Sequence, residues 1–434
     1  MKDRKRLLAC LVSLCLLAAV PAVGSADVVP GDLIDKSNWE KVEGLLPSSV
    51  LDWVKTGDTV ISVVQLNYDP KEYMNPTAKA SLEGNRGKYD LDADLLFVDK
   101  ATGEFPDYIN GIPFPGVDEK DPNVALKLMY NRIYIGYSLG AIFLPFTADW
   151  IGRSSGLERQ VMCSWEQYPL DGFPGHADKK NKEGYERFAL IRVLAPFDIK
   201  GTNILLMRYR GAKQDTTLAY VPAIRRVRRM SPANRSDAFI GSDCCVDDAW
   251  CFDGKINAFD WELGGKQEAL FPFLSEDVEM MEKNKHGGWS TSKSIKQIEY
   301  GHEKDGWQGA PWLPTNLVWA KRQAYVLNMK PKDPYYNYGP HSIWIDAEVS
   351  VMTFWKVIHD RADKYWKTVW YSWQAYKASD DSHRQLVPGS MLCVDDRTNH
   401  ATVIGFPEPK RTWNYGWKLD PNDYTLGGFQ KACK

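Results

Sequence analysis

The sequence predicts an α+β protein that is mainly antiparallel β, and three observations predict it. From Arg187 onward the chain is a succession of short β-branched and aromatic runs separated by turns. No helical stretch between them is long enough for a crossover, so neighbouring runs pair mostly antiparallel. One of the last runs, Trp366–Tyr376, carries aromatics on both faces. Trp366, Thr368, Trp370 and Ser372 point one way, and Lys367, Val369, Tyr371 and Trp373 the other. A sheet with one solvated face would alternate more cleanly. Either protein covers both sides of this strand, or one side lines a ligand cavity.

The chain opens on an export signal. Lys2, Arg4, Lys5 and Arg6 precede an apolar run from Leu7 to Val20, and Gly24-Ser25-Ala26 supplies small residues for cleavage. Residues 1–26 therefore read as a cleaved signal peptide; an uncleaved anchor is the alternative, against which the short run argues. Residues 27–185 form the loop- and helix-containing first part of a single domain. Within it, Lys41–Lys55 predicts a short helix closed by Gly57, and Thr59–Tyr68 a strand. Residues 71–118 are rich in turn signals. Asp121-Pro122 opens a helix to about Arg132. Ile133–Phe146, broken by Gly136, Gly140 and Pro145, reads as a buried strand in preference to a membrane-touching loop.

Residues 186–380 form the sheet itself. Ala189–Leu194 and Asn203–Tyr209 make a pair, joined through Asp198 to Gly201. Leu218–Val221 stops at Pro222, which has no N–H for a central ladder. Phe252–Leu263, Ala324–Met329, Ser342–Asp346, Val351–His359 and Trp366–Tyr376 follow. The polar, Gly-rich segment His286–Gly309 reads as a loop. Residues 381–434 are a C-terminal tail.

Composition narrows function. Without residues 1–26, 50 basic and 55 acidic side chains leave a net charge of −5, which gives no support to nucleic-acid binding. The 17 Trp exceed what a minimal core needs and suit walls that bind amphiphiles, or simply a Trp-rich core. Six cysteines remain: Cys163, Cys244, Cys245, Cys251, Cys393 and Cys433. In an exported chain they read as up to three disulfides. Cys393 and Cys433 share the tail and are expected to pair. Adjacent Cys244 and Cys245 should reach different partners, since a vicinal bond is strained.

Four guanidiniums fall within five residues at Arg225, Arg226, Arg228 and Arg229. They form either a docking patch for carboxylate or phosphate or a solvated hairpin face whose repulsion nearby Asp237, Asp243, Asp247 and Asp248 relieve. Asp243, Asp247, Asp248 and Asp253 crowd one loop, yet the ligand order of a calcium loop is missing. No pair among the seven His has helical metal spacing, and no nucleophile elbow occurs. No catalytic residue, metal or cofactor is expected.

The stretch YVPAIRRVRRMSPANRSDAFIGSD resembles the middle of periplasmic proteins similar to the lipoprotein-sorting chaperone LolA. GKYDLDADLLFVDKATGEFPDYINGIPFP, FDGKINAFDWELGGKQEALFPF and KVIHDRADKYWKTVW resemble a larger bacterial LolA-like family of unassigned activity. The resemblance, scattered over residues 58–376, implies a curved, incomplete antiparallel barrel wrapped over helices with an apolar inner face. It also implies a carrier of acyl chains or other hydrophobic molecules, serving an RND-type exporter or outer-membrane trafficking. Cys244 and Cys245 depart from the pattern and put loop mobility in doubt. The aromatics on or beside the strands, Tyr220, Trp250, Phe252, Phe259, Trp261, Trp344, Trp355, Trp366 and Trp370, are the candidate ligand wall; core filling is the alternative for each. The expectation is thus a monomeric periplasmic lipid carrier, against a non-catalytic accessory subunit of an envelope complex.

Overall fold

The computed structural model describes residues 28–291, 297–350, 352–405 and 413–433; the signal-peptide expectation for residues 1–26 lies outside them. In chain order the strands and α-helices are β1 (Leu33–Ile34), α1 (Ser48–Thr56), β2 (Ile61–Val63), α2 (Pro76–Gly84), β3 (Tyr89–Leu91), β4 (Phe97–Asp99), α3 (Val124–Ser138), β5 (Ile142–Gly152), β6 (Gly156–Pro169), β7 (Tyr185–Ala195), β8 (Asn203–Tyr209), β9 (Thr216–Val221) and β10 (Arg226–Met230). They continue with β11 (Phe259–Phe273), β12 (Glu279–Lys283), β13 (Trp289–Thr291), β14 (Val318–Pro331), β15 (His341–Asp346), β16 (Thr353–His359), β17 (Tyr365–Ala378), β18 (Arg384–Asp395), β19 (His400–Gly405), β20 (Asn414–Tyr415) and α4 (Leu426–Ala432).

One antiparallel path runs β10-β9-β8-β7-β6-β5-β19-β18-β17-β16-β15-β14-β11. Parallel contacts are few: β2 joins β14, and β11 and β12 touch β17. Short β12, β13 and β20 bridge β17 to the start of β5. Among the described residues β10 pairs only with β9, so the sheet ends in a free edge and the barrel stays incomplete. The junction between β5 and β19 welds the first half of the chain to the last strands.

α1 forms in the second half of the expected Lys41–Lys55 helix, starting at Ser48 after Pro47, with the expected glycine stop. Gly57 ends it in the left-handed region, at φ 81°, and returns its N–H to the carbonyls of Trp53 and Val54. Trp53 stacks on Trp370 of β17 at 6.2 Å, and the Ser49 and Thr368 hydroxyls share a hydrogen bond of 2.7 Å. Tyr371 and Trp373, on the opposite face of β17, meet a long non-strand segment described below. Protein thus covers the Trp370 face of this strand, while on the other face Tyr371 lines a cavity, which accounts for aromatics on both sides.

Several elements differ from expectation. Residues 381–434, expected as a tail, supply β18, β19 and β20 of the sheet and α4, and β13 lies inside the expected His286–Gly309 loop. The helix after Asp121 continues to Ser138, so residues 133–138 are helical and β5 starts only at Ile142. The cause is burial on all sides: every residue of α3 but Gly136 is buried, which leaves no polar stripe to mark a helical period. Thr59–Tyr68 supplies only the three-residue β2, and Phe252–Leu263 becomes strand only at Phe259.

The disulfide expectation is not met in the structure, where all six described cysteines are free thiols. Cys393 lies in the main core with its thiol on the Asp243 carbonyl at 3.3 Å. Cys433 packs elsewhere, beside the core patch under α4, where Asn203 donates to its sulfur at 3.3 Å.

The first wing of the sheet, β6–β9, shows strict alternation. Phe188, Leu190, Leu205, Met207 and Leu218 face outward and are sealed by Tyr424 and Phe429 of the C-terminal segment. Ala189, Ile191, Ile204, Leu206 and Thr217 point the other way, to the concave side. No described helix is long and apolar enough to cross a membrane.

Candidate functional site: an apolar cavity under a strap

After β10 the chain leaves the sheet and does not rejoin it until β11. Residues 231–258 cross the concave face as a strap of short 3-10 turns. Between strap and sheet lies a cavity enclosing about 1020 Å³ of empty space, open mouth included. The inward residues of the β6–β9 wing form one wall, with Leu144 and Phe146 of β5. Tyr371, Met391 and Ile404 extend it, and Phe239, Val246, Ala249 and Trp250 of the strap close it. Ile191, Ile204, Met391 and Ile404 remain half-exposed, so the cavity opens to solvent through apolar side chains.

The strap is held by buried polar bonds, since turns placed against a core must find partners for their polar groups. Asp248 pairs with Lys356 at 2.7 Å, both side chains fully buried, and also accepts from the Cys245 N–H at 2.8 Å and the Tyr338 hydroxyl at 3.0 Å. Burial pushes the Asp248 carboxyl up, but the Lys356 charge and these donors outweigh it and hold it below the ordinary 3.8. Asp253 behaves alike: burial raises it, and Arg187, Arg208 and Arg235 bring it below 3.8. Asp247 pairs with Arg235 and accepts from the Tyr336 hydroxyl at 3.0 Å. Asp243 accepts from the Thr402 hydroxyl at 2.8 Å and lies 2.7 Å from His400. The acidic cluster is therefore distributed among cations and hydroxyls of several strands, each carboxylate anchoring a different point of the strap.

Trp250 is the hinge of this arrangement. Its φ of 58° is a left-handed conformation that a bulky residue adopts only under constraint. Three groups constrain it: its N–H donates to the Tyr371 hydroxyl at 2.5 Å, and its carbonyl accepts from Arg132 and from Thr353 at 3.0 Å. The ring then sits among Trp413 at 5.4 Å, Trp165 at 6.1 Å and Trp373 at 6.3 Å.

Of the nine aromatics read from the sequence as a ligand wall, the structure brings Trp250 to the cavity. Trp355 and Trp370 are fully buried around Trp319, at 6.1 and 5.4 Å. Phe252 of the strap packs with Phe259 and Trp261 of β11. Trp344 stands opposite Trp355 in the β15–β16 ladder. Trp366 lies edge-on to Tyr338 and bonds Asp395 at 2.8 Å. Tyr220 packs beneath α4, on the outer face of the wing. Trp165, Tyr371 and Trp413 line the cavity without having been singled out. The alternation Val161, Cys163, Trp165 could have marked β6 as a strand with Trp165 on one side.

Cys244 and Cys245 also reach the cavity wall. Burial pushes the Cys163, Cys244 and Cys251 thiols up to about 12 and raises Cys245 well above its usual value, so at neutral pH they are small apolar groups. Arg225, Arg226, Arg228 and Arg229 are all exposed, on β10 and the turn before it.

Fold and site together define an open, curved antiparallel sheet that shelters an apolar cavity beneath a polar-anchored strap. The chain belongs to the family described as "Protein of unknown function (DUF1329)", whose model matches residues 33–430. No curated protein matches it. Among solved structures it is similar to a DUF1329 family protein from Desulfovibrio piger, with 17% identity and a TM-score of 0.46, covering 71% of this chain and 99% of that one. A putative outer membrane lipoprotein-sorting protein domain from Vibrio parahaemolyticus shows 15% identity and a TM-score of 0.46, over 70% and 97% of the two chains. A LolA superfamily protein from Nitrosomonas europaea shows 10% identity and a TM-score of 0.35, over 67% and 91%.

Proposed function

We propose that this protein is an exported periplasmic carrier that shelters a lipid or other hydrophobic molecule in the cavity between the β5–β9 wing and the strap, without covalent chemistry. The observation that supports it is the apolar lining of the cavity between the strap and the sheet. Each methylene moved from water into such a wall contributes about 0.8 kcal/mol, so about ten give useful affinity after the costs of association. Trp250, Trp165 and Tyr371 supply the aromatic part of the wall. Residues 1–26 would direct export, and hand-over to an RND-type exporter or an outer-membrane acceptor would complete the cycle.

Two measurements test the reading. Mass spectrometry of extracts from the native protein should find a reproducible hydrophobic ligand, and a fluorescent fatty acid should bind the purified protein. Ile204→Trp, which fills the mouth of the cavity, should weaken probe binding about tenfold or more, as expected when a side chain occupies space that apolar ligand atoms need. A protein that comes out empty and ignores the probe would favour an accessory subunit of an envelope complex.

A further inference from the structure

One end of the β6–β10 wing carries features that the cavity does not use. The β7–β8 turn and the β9–β10 turn lie side by side there; a β-carbon on Gly201 would stand 3.4 Å from the Pro222 ring. Phe197 projects from the first turn 94% exposed, beside Leu194 near the end of β7 at 44%; Ile224 of the second turn is 44% exposed, beside Val221 at the end of β9 at 39%. Single exposed apolar residues are ordinary, but two on touching turns with two more on the adjoining strand ends make one apolar tip.

Charge surrounds the tip on one side. Lys200, Arg225, Arg226, Arg228 and Arg229 are exposed, and none of the four arginines has a carboxylate partner among the described residues; Arg229 bonds only the Thr216 hydroxyl, at 3.1 Å. The acidic Asp198 of the first turn is engaged by Arg159 at 3.2 Å. Register places two of the arginines on the cavity side. Arg226 stands opposite Val221 and Arg228 opposite Ala219, on the sheet face that carries Thr217 of the cavity wall.

We infer that this tip docks the protein on an anionic lipid surface: the two turns insert their apolar side chains at the headgroup boundary while the β10 arginines pair with lipid phosphates. Guanidinium forks match phosphate, and basic groups flanking exposed Phe and Ile are the pattern of interfacial binding. An acidic protein partner would account for the arginines, but it would need a complementary pocket for each projecting side chain. A fluid acyl boundary accepts an apolar tip of any shape. Docked this way, the side of the wing that lines the cavity lies beside the lipid, whatever molecule the cavity holds.

Co-sedimentation of the purified protein with vesicles tests this. The protein should bind phosphatidylcholine vesicles containing phosphatidylglycerol, bind phosphatidylcholine alone much more weakly, and release as salt rises. R226E/R228E and F197S/I224S alter exposed positions only, and each should weaken binding to the anionic vesicles about tenfold or more. Absence of binding, equal binding to both vesicle types, or binding untouched by both variants would overturn the inference. So would variants that lose only a cross-link to an envelope protein. Fatty-acid probe binding without vesicles reports the carrier separately: a protein that docks but ignores the probe keeps the docking tip and loses the carrier reading.

Discussion

Lys356 and Asp248 meet where water does not reach, and what surrounds them decides what the pair contributes. Both side chains are fully buried, and Asp248 takes two further donors from the strap and from Tyr338. Replacing a buried pair by apolar groups can be neutral, but removing one partner strands a charge. Lys356→Met should therefore lower the unfolding free energy by about 3–5 kcal/mol, measured by urea titration, and D248N/K356M should recover most of it. The same pair sets acid stability. Asp248 titrates below 3.8 in the folded chain, so its contribution is present above that value and fades as pH falls through the lower, folded one. Stability of the native protein should drop along that acid limb, and D248N should flatten it. The sequence shows Asp247-Asp248 next to cysteines; nothing in it shows a lysine 108 positions away.

At the scale of elements, the strap is the part whose conformation is most heavily constrained. Ile240, Trp250 and Cys251 all have positive φ, conformations that cost energy for non-glycine residues and persist only where neighbours enforce them. Tyr371→Phe removes the acceptor of the Trp250 N–H and leaves that donor buried and unpaired, a loss of about 1–3 kcal/mol. Because Trp250 is also cavity wall, the variant should weaken fatty-acid probe binding as well as lower the melting temperature. Probe affinity unchanged in a destabilised variant would separate the hinge from the site. Other elements divide by how they are covered. The end of α1 was legible because its buried face, its lysine near the end and its closing glycine agree, whereas its start at Ser48 lies seven residues after the expected Lys41. α3 was legible only in its first half, because a helix buried on all sides has the same apolar sequence as a buried strand.

For the whole molecule, the free edge at β10 and the outer seal under α4 frame the open wing. An edge rich in arginine resists pairing with another sheet, which suits a strand with no second neighbour. On the outer face, Phe429 is fully buried against the wing. Phe429→Ala should destabilise by about 3–5 kcal/mol. The wing shares the β5–β6 and β5–β19 ladders with the rest of the sheet, so denaturation should still show one transition at lower denaturant. Two resolved transitions would mean that the wing unfolds by itself.

By itself the sequence determined the class: antiparallel runs joined by short turns, a chain whose resemblance lies with LolA-like proteins, and an exposed basic hairpin. These follow from local rules, since alternation, turn chemistry and charge density act over a few residues. Only the tertiary structure decided which aromatics face the cavity. Alternation says that Trp370 and Tyr371 lie on opposite faces of one strand, but not that Trp53 of α1 covers the first while the strap leaves the second on a cavity wall. That choice depends on contacts between segments hundreds of residues apart, and no spacing within a strand encodes it.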